Sequence, residues 1–472
     1  MPYPVQALAC PEEEIPVFKQ NRREFLCAAR LIGTGLAAGS FRPDAVATVK
    51  GKQQSVTIPT HEFFGDIEER IDLPASWEVN IMKMAGHDAV PLSQEEMRRR
   101  IRSPMGTPPL RELAAGKKRV VITFDDLERP TPAHEIAPLV LEELKAAGVA
   151  GDNILFLAAL GTHRALPADE VVRKLGKDTA QRYAWINHNC WENLKEIGET
   201  SRKNRIKINR NFAAADLRIT LNGIKVHQRA GYGGGAKSIL PGVASIETVK
   251  YNHETIGGGS RDNALKVFHN DVRLDMEEAA RLARIDFSVQ VVYNRRRRTC
   301  ALFAGEINEA HHAACRMANL HYRTPTFKNA DIVIANNYPQ NIQSEKGLDW
   351  VNRSLRDGGT AVLIIQNPHV MTSWNYWNES VAYRNGRTYW DVLEARKPRP
   401  NSAVIVYSQY LDERSMRYPQ FPAGAIPART WEEAIAQLRA RHKGDARVAV
   451  YPYCAIQHVE AGLDETAEPA KG

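Results

Sequence analysis

The sequence predicts an α/β protein built of two α/β lobes, with mainly parallel sheets and an active-site cleft between the lobes. Three observations predict this fold class. Short apolar, β-branched runs alternate with segments of helical periodicity, and this alternation occurs in two separate series along the chain. The length of 472 residues also exceeds that of one ordinary domain.

The first series starts near residue 118. Runs rich in Val, Ile, Leu and Phe, typical of strands buried on both faces, predict strands at residues 120–124, 154–160, 217–221 and 287–293. Helical periodicity between them predicts helices at residues 136–147, 169–175 and 276–283. Parallel pairing is favoured, because each helix returns the chain to the same end of the sheet.

The second series follows a boundary near residue 322, which Pro325 and the polar residues around it predict. Its expected strands and helix lie at residues 331–335, 360–365, 403–407 and 448–451, and at residues 431–441. We therefore expect an N-terminal domain of residues 48–322 and a C-terminal domain of residues 323–472. A cleft between two such domains is where small ligands bind.

Residues 1–47 have the composition of an export leader. Arg22 and Arg23 precede a weakly apolar, Ala- and Gly-rich stretch, and Ala45 and Ala47 supply small residues at the cleavage spacing. This arrangement resembles a twin-arginine signal, whose pathway carries folded proteins. A disordered extension of a cytoplasmic protein is the alternative, because Arg30 interrupts the apolar stretch.

Charge and composition argue against several function classes. The net charge of +8, from 63 basic and 55 acidic residues, is a mild excess that a small anionic substrate explains. Four consecutive arginines at residues 295–298 are interpreted as a solvated loop, since no zinc finger, RNP-like strand or basic helix accompanies them. No apolar run reaches the ~20 residues of a membrane-spanning helix. Neither nucleic-acid binding nor stable membrane insertion is expected.

Polar residues directly follow two of the expected strands. Asp126 and Arg129 come after residues 120–124, and His163 comes after residues 154–160. The carboxyl ends of parallel strands face the ligand crevice, and a guanidinium pairs well with a carboxylate or phosphate. His163 is therefore a candidate general base. A structural Asp–Arg pair and a structural loop histidine are the alternatives.

The densest segment is the glycine loop, defined here as residues 231–235, which is followed by Lys237. Its four glycines in five positions allow backbone N–H groups to close around an anion. A P-loop ATPase is disfavoured, because Ala236 stands where that motif requires glycine and Pro241 interrupts the following helix. A flexible loop without a binding role is the other alternative.

Two histidines accompany this lysine at fixed spacing. His227 lies ten residues before Lys237, and His253 lies sixteen residues after it. Imidazole is a common ligand of transition metals. One histidine does not make a metal site, so His253 alone is a weak indication.

In this order and spacing, the segments resemble the lactate racemase family, best over residues 110–350. The matching segments are Asp126-x-x-Arg129-Pro130, Thr162-His163-Arg164, His227 with Lys237 and His253, and Gln343-Ser344-Glu345-Lys346, which corresponds to the family's Gln-x-x-Lys pair. The resemblance implies racemisation or epimerisation of a 2-hydroxy acid. The reaction would use hydride transfer to and from a nickel-pincer nucleotide, a pyridinium mononucleotide with two sulfur-bearing arms.

The resemblance also implies residue roles. The N-terminal domain would bind the cofactor, with the nucleotide attached covalently to Lys237 and its nickel held by His253. The residues that would position the nucleotide are Asp126, Gly233, Gly234 and Gly235. His163 and His227 would form an acid–base pair, and the groups that would bind the substrate are Arg129, Gln343 and Lys346. Enzymes that build the cofactor would be partners of the protein.

Three departures from the family pattern leave the substrate open. Glu128 replaces a small hydroxyl residue, the glycine loop reads Gly-Tyr-Gly-Gly-Gly, and Ile342 stands where the lactate-specific enzyme has an aromatic residue. Lactate, a sugar acid, and an aromatic or branched 2-hydroxy acid all fit the pattern. Net redox chemistry with the same cofactor and non-catalytic binding of hydroxy acids are alternative functions.

Overall fold

The computed structural model describes residues 46–49, 54–258, 262–340, 345–368, 398–416, 421–459 and 463–464. The chain divides into two compact units, residues 1–44 and 45–472, and all described residues belong to the second. The expected export leader therefore lies outside the described residues except at its end, where a strand begins at Val46. Export stays a prediction.

The described residues form twenty-one strands and twelve α-helices. The strands are β1 (Val46–Val49), β2 (Gln54–Thr60), β3 (Ile67–Leu73), β4 (Glu78–Met82), β5 (Val120–Phe124), β6 (Ile154–Ala158), β7 (Ala184–Asn187), β8 (Leu194–Glu199), β9 (Arg205–Asn209), β10 (Leu217–Gly223), β11 (Val226–His227), β12 (Gly231–Tyr232), β13 (Phe287–Tyr293), β14 (Thr299–Gly305), β15 (Arg323–Thr324), β16 (Ala330–Asn336), β17 (Leu355–Ile364), β18 (Ala403–Tyr407), β19 (Ile426–Ala428), β20 (Arg447–Tyr451) and β21 (His458–Val459). The helices are α1 (Gln94–Arg102), α2 (Leu110–Ala114), α3 (Ala133–Ala146), α4 (Ala168–Leu175), α5 (Lys177–Arg182), α6 (Arg210–Ala213), α7 (Ile246–Lys250), α8 (Asp271–Ala283), α9 (Ile307–His321), α10 (Glu345–Ser354), α11 (Glu413–Met416) and α12 (Trp431–Arg441).

The first large sheet has six strands in the order β14-β13-β10-β5-β6-β7. Its neighbouring strands pair in parallel, except for β14, which runs antiparallel to β13. Every residue of β5 is buried, because apolar side chains pack against both faces of the sheet. The carboxyl ends of the adjacent strands β5 and β6 therefore meet at one edge, where the site residues follow.

The second large sheet has seven strands in the order β1-β4-β20-β16-β17-β18-β19. It is parallel except for the pair of β1 with β4. Its two first strands come from residues 46–82, so the beginning of the second unit completes the sheet formed by its C-terminal part. The division into domains at residue 322 does not include this crossover and stays a prediction.

The α/β class with mainly parallel sheets is confirmed, and most expected elements occur close to their expected bounds. The strands at 120–124, 287–293 and 403–407 and the helix at 431–441 have those bounds. Strand β6 ends two residues early, at Ala158, because the amide of Leu160 donates to Ala158 O at 3.0 Å and turns the chain away from the ladder. The two lobes and their cleft stay predictions.

The four arginines at residues 295–298 are not a simple solvated loop. Arg297 is buried and ion-paired with Asp66, and Arg295 and Arg296 both contact Glu68 within 3.0 Å. These arginines thus form ion pairs within the protein, which the sequence alone did not predict. Among the residues that the structure describes, no helix is long and apolar enough to cross a membrane.

Candidate active site

The loops after β5 and β6 bring Asp126 and His163 into contact. The two strands are neighbours in register, with Phe124 opposite Ala158, so the residues that follow them lie side by side. Asp126 Oδ2 is 2.5 Å from His163 Nδ1, and the His163 side chain is only 14% exposed. The pairing orients the imidazole. Asp126 was expected to position the nucleotide, but in the structure one of its oxygens contacts His163, the candidate general base.

Glu128 adds a second carboxylate to this histidine. Its Oε2 lies 3.5 Å from His163 Nδ1 and 3.7 Å from Arg129 Nη1. Burial alone would lower the pKa of His163, but the charges of Glu128 and Asp126 outweigh it and raise that pKa above its ordinary value. Although burial opposes ionisation of Asp126, His163 and Arg129 hold the pKa of that carboxyl well below its usual range.

Lys174, on α4, fastens the loop that carries these groups. It is fully buried, and its ammonium donates to the backbone oxygens of Asp126 at 2.9 Å and Arg129 at 2.6 Å. It also lies 2.5 Å from Asp125 Oδ1. Sequence reasoning missed Lys174, although it lies three residues after buried Val171 on the same helical face, a spacing that signals burial.

We expect Lys174→Met to destabilise the fold by about 3–5 kcal/mol, because it leaves the Asp125 carboxylate, whose side chain is only 17% exposed, without its cation. Urea unfolding followed by circular dichroism measures this change. Lys177→Met, at an exposed position, is the matched control and should change the free energy of unfolding by less than about 1 kcal/mol. Equal effects of the two substitutions would contradict the stabilising role assigned to Lys174.

The glycine loop is shaped by close packing against its surroundings. Gly234 has φ +74°, and a Cβ there would lie 2.5 Å from Ile224 Cδ1. Gly235 has φ +57°, and a Cβ there would lie 2.5 Å from His311 Cγ. Glycine is therefore required for both backbone conformation and space.

Two N–H groups of this loop are already used within the protein. Gly233 N donates to Lys225 O at 2.7 Å, and Gly235 N donates to Gln290 Oε1 at 3.0 Å. These two groups are therefore engaged within the protein, and the binding of an anion by the N–H groups of this loop stays a prediction. Their contribution is the shape of the loop, which carries the chain from β12 to Lys237.

Lys237 is buried in a cationic environment. It lies in the short 3-10 turn Gly235–Ser238 and is 9% exposed. Burial, together with the charges of Arg129, Arg273 and Arg229, lowers its pKa well below the ordinary lysine value. A lysine in such surroundings favours the neutral amine, the form that acts as a nucleophile or is carried in an amide-like bond.

His227 and Lys346 approach the same group of charges. Burial lowers the pKa of His227 well below its ordinary value, and the charges of Lys237, Arg129 and Lys346 lower it further. Helix α10, which carries Lys346, also reaches the His227 segment through Asp349, whose Oδ2 accepts from Gln228 Nε2 at 3.2 Å. Gln343, the other expected substrate-binding residue of this part, lies outside the described residues.

His253 lies in a π-helical turn, Tyr251–Ile256, directly after α7. Such turns inside helices are frequent at functional sites. The imidazole is 8% exposed, and burial, Lys237 and Arg229 lower its pKa well below the ordinary value, although a hydrogen bond with the Val249 backbone opposes this. A neutral imidazole with one nitrogen held by a backbone group matches the usual state of a metal-ligating histidine.

A second group of ligand-type side chains lies behind the glycine loop. One ligand atom from each of Glu277, His311 and His312 lies within 4.8 Å of the others. Glu277 Oε1 is 3.0 Å from His312 Nε2, and His311 Nε2 donates to Gly233 O at 3.0 Å. The charge of the buried Arg273 guanidinium acts on Glu277, and the contact of this carboxylate with His312 already accounts for one of its oxygens.

Comparisons with known proteins identify the relatives of this chain. The family described as "Lactate racemase N-terminal domain" matches residues 64–264. A lactate racemase of Thermoanaerobacterium thermosaccharolyticum is 34% identical over 312 residues, which cover 64% of this chain and 72% of that protein. A lactate racemase of Lactiplantibacillus plantarum is 34% identical over 284 residues, covering 57% of this chain and 65% of that protein.

Two solved structures share the fold. The lactate racemase apoprotein of Thermoanaerobacterium thermosaccharolyticum superposes with a TM-score of 0.62 at 24% identity, covering 86% of this chain and all of that one. A Thermotoga maritima protein superposes with a TM-score of 0.57 at 18% identity, covering 78% of this chain and 99% of that one. At these identities the likeness establishes the architecture alone.

Proposed function

The chain belongs to the lactate racemase family, and from that premise we propose that it racemises or epimerises a 2-hydroxy acid with a nickel-pincer nucleotide attached to Lys237. It is an isomerase of this family. One observation carries the proposal. The charge of Arg129 acts on His163, His227 and Lys237 alike, so the two acid–base candidates and the attachment lysine share the electrostatic field of one cationic group.

The described residues fit a nucleotide attached to lysine. Lys237 is buried among guanidinium groups, which suits an uncharged, covalently modified amine. Asn222 Nδ2 and Thr123 Oγ1 are buried and have no hydrogen-bond partner among the residues that the structure describes. Their strand neighbours on the same sheet face are Gln290, which contacts the glycine loop, and Thr220. Donors of this kind suit phosphate or ribose oxygens.

Each residue then has a distinct task. Lys237 would hold the nucleotide, and His253 would supply an imidazole to its nickel, an ion that imidazole suits. When bound, the cofactor would supply reversible hydride-transfer chemistry at the substrate's Cα. Arg129 and Lys346 provide the positive charge that a 2-hydroxy carboxylate needs. His163 and His227 handle the hydroxyl proton.

The test is intact-mass spectrometry and nickel analysis of protein made together with the cofactor's maturation enzymes. A mass addition that maps to Lys237, one nickel per chain and inversion of at least one 2-hydroxy acid are the expected results. Substrate with deuterium at Cα should lose its configuration and keep its label. Accumulation of 2-keto acid would instead support net redox chemistry, and absence of both nickel and added mass would support a non-catalytic binding protein.

Glu128→Gln should move the acid limb of the kcat/KM profile to lower pH. His163 accepts a proton only when neutral, so the rate rises with pH through its pKa, which Glu128 raises. Removal of that carboxylate lowers the pKa and extends activity to more acidic solution. Glu142→Gln is the matched control, because Glu142 pairs with Arg98 at the surface. A limb that stays in place or moves to higher pH would contradict the assignment.

A further inference from the structure

The two catalytic histidine candidates have opposite hydrogen-bonding partners. His163 Nδ1 faces the Asp126 carboxylate at 2.5 Å, and a carboxylate of lowered pKa only accepts, so Nδ1 carries the hydrogen. His227 Nδ1 instead accepts from the backbone N–H groups of Arg229 and Ala230, both at 3.2 Å. Its Nδ1 therefore carries no hydrogen, and the neutral ring has its hydrogen on Nε2.

Hydrogen bonds to their carbonyl oxygens fix the peptide groups that face His227. The donors lie in residues 263–273, which lead into α8. Gln228 O accepts from Asn263 N at 2.9 Å, Arg229 O from Asn270 Nδ2 at 3.0 Å, and Ala230 O from Arg273 Nε at 3.0 Å. Asn270 and Arg273 are buried. Because peptide groups are planar, fixing these carbonyls also fixes the direction of the N–H groups.

Resting on the proposed function, we propose that His227 acts in this conformation as a fixed Nε2–H donor to the substrate and not as a proton acceptor. His163 then presents Nε2 as the base for the enantiomer whose hydroxyl faces it. For the opposite enantiomer, His227 must carry a hydrogen on Nδ1, and the Arg229 and Ala230 N–H groups occupy that position. Inversion therefore requires this backbone segment to turn away from the ring.

The charges around the two rings agree with this division. The groups that act on His227 are the cations Lys237, Arg129, Lys346 and Lys225, while Asp349 contacts the neighbouring Gln228. The groups that act on His163 include the carboxylates Glu128 and Asp126. The first environment opposes an imidazolium and the second stabilises it. The two rings thus differ both in their hydrogen-bonding partners and in the charges around them.

The proposal is tested directly by the protonation of the ring nitrogens in ¹⁵N-histidine-labelled holoenzyme. Long-range ¹H–¹⁵N spectra distinguish a bare from a protonated nitrogen, and His163→Gln and His227→Gln identify the two signals. At pH 7 we expect His227 to show a protonated Nε2 and a bare Nδ1, and His163 to show a protonated Nδ1. A hydrogen on Nδ1 of His227 would overturn the proposal. This measurement does not depend on activity.

A kinetic comparison tests the consequence. The amide N–H of His227→Gln can replace the donor but cannot take a proton, whereas His227→Leu offers neither. In a single turnover of holoenzyme with a carbonyl trap present, the Cα hydride stays on the cofactor, so trapped keto acid can reach at most the amount of holoenzyme. His227→Gln should form it from one enantiomer within about tenfold of the wild-type rate, while its inversion falls by about 10²–10⁴-fold. Equal loss in the Gln and Leu variants would overturn the donor role. If the wild-type protein turns over no 2-hydroxy acid, the proposed function fails, and the spectra still decide the inference.

Discussion

Lys237→Ala is expected to abolish covalent cofactor binding and to reduce racemisation to the uncatalysed background. The lysine is the one attachment point in the proposed scheme, and its burial among Arg129, Arg229 and Arg273 favours the neutral amine that an amide-like bond requires. Alanine removes the nucleophile without adding volume, so the glycine loop should keep its shape. Intact mass, nickel content and the racemisation rate of the variant measure the three effects.

Two companion variants make this result specific. Lys266→Ala, at an exposed position, should keep the mass addition, the nickel and the rate. His253→Ala should keep the mass addition and lose nickel first, because its imidazole is assigned to the metal and not to the tether. Near-wild-type activity of Lys237→Ala would mean that the cofactor assignment is wrong.

The backbone architecture could be predicted where local pattern decides it. Residues 120–124 form an apolar run, broken only by the β-branched Thr123, between basic residues and two aspartates, and the strand has those bounds. Strand β17 was expected at residues 360–365, but it begins at Leu355 and includes exposed Arg356 and Asp357. Pairing with β16, which contains a register shift, sets this longer strand, and such tertiary contacts leave no local signal.

The site was predictable at the ends of strands and less so behind them. Asp126 and His163 follow neighbouring parallel strands, so their contact follows from topology. Lys174 and Arg273 are charged residues in helices, where the usual expectation is solvent exposure. Their complete burial depends on backbone carbonyls supplied by distant segments. Sequence reasoning identifies which groups carry chemistry more readily than which groups hold them in place.

His163→Ala and His227→Ala are each expected to slow inversion by about 10²–10⁴-fold, the range in which a positioned acid or base contributes. Both variants should retain the covalent cofactor and its nickel, because neither imidazole is assigned to the tether or the metal. Racemisation rates from both enantiomers, with intact mass and nickel on the same samples, check this. His269→Ala, an exposed histidine, is the control and should leave the rate unchanged.

The double variant separates a shared task from two independent ones. If His163 and His227 handle the same proton on opposite sides of one substrate, the loss of either already stops inversion, so the double variant should be no slower than the slower single variant. Multiplication of the two single losses would instead mean that the histidines contribute separately. A wild-type racemisation rate in either single variant would exclude the two-histidine scheme. This conclusion would not depend on the assignment of Lys237 and His253 to the cofactor.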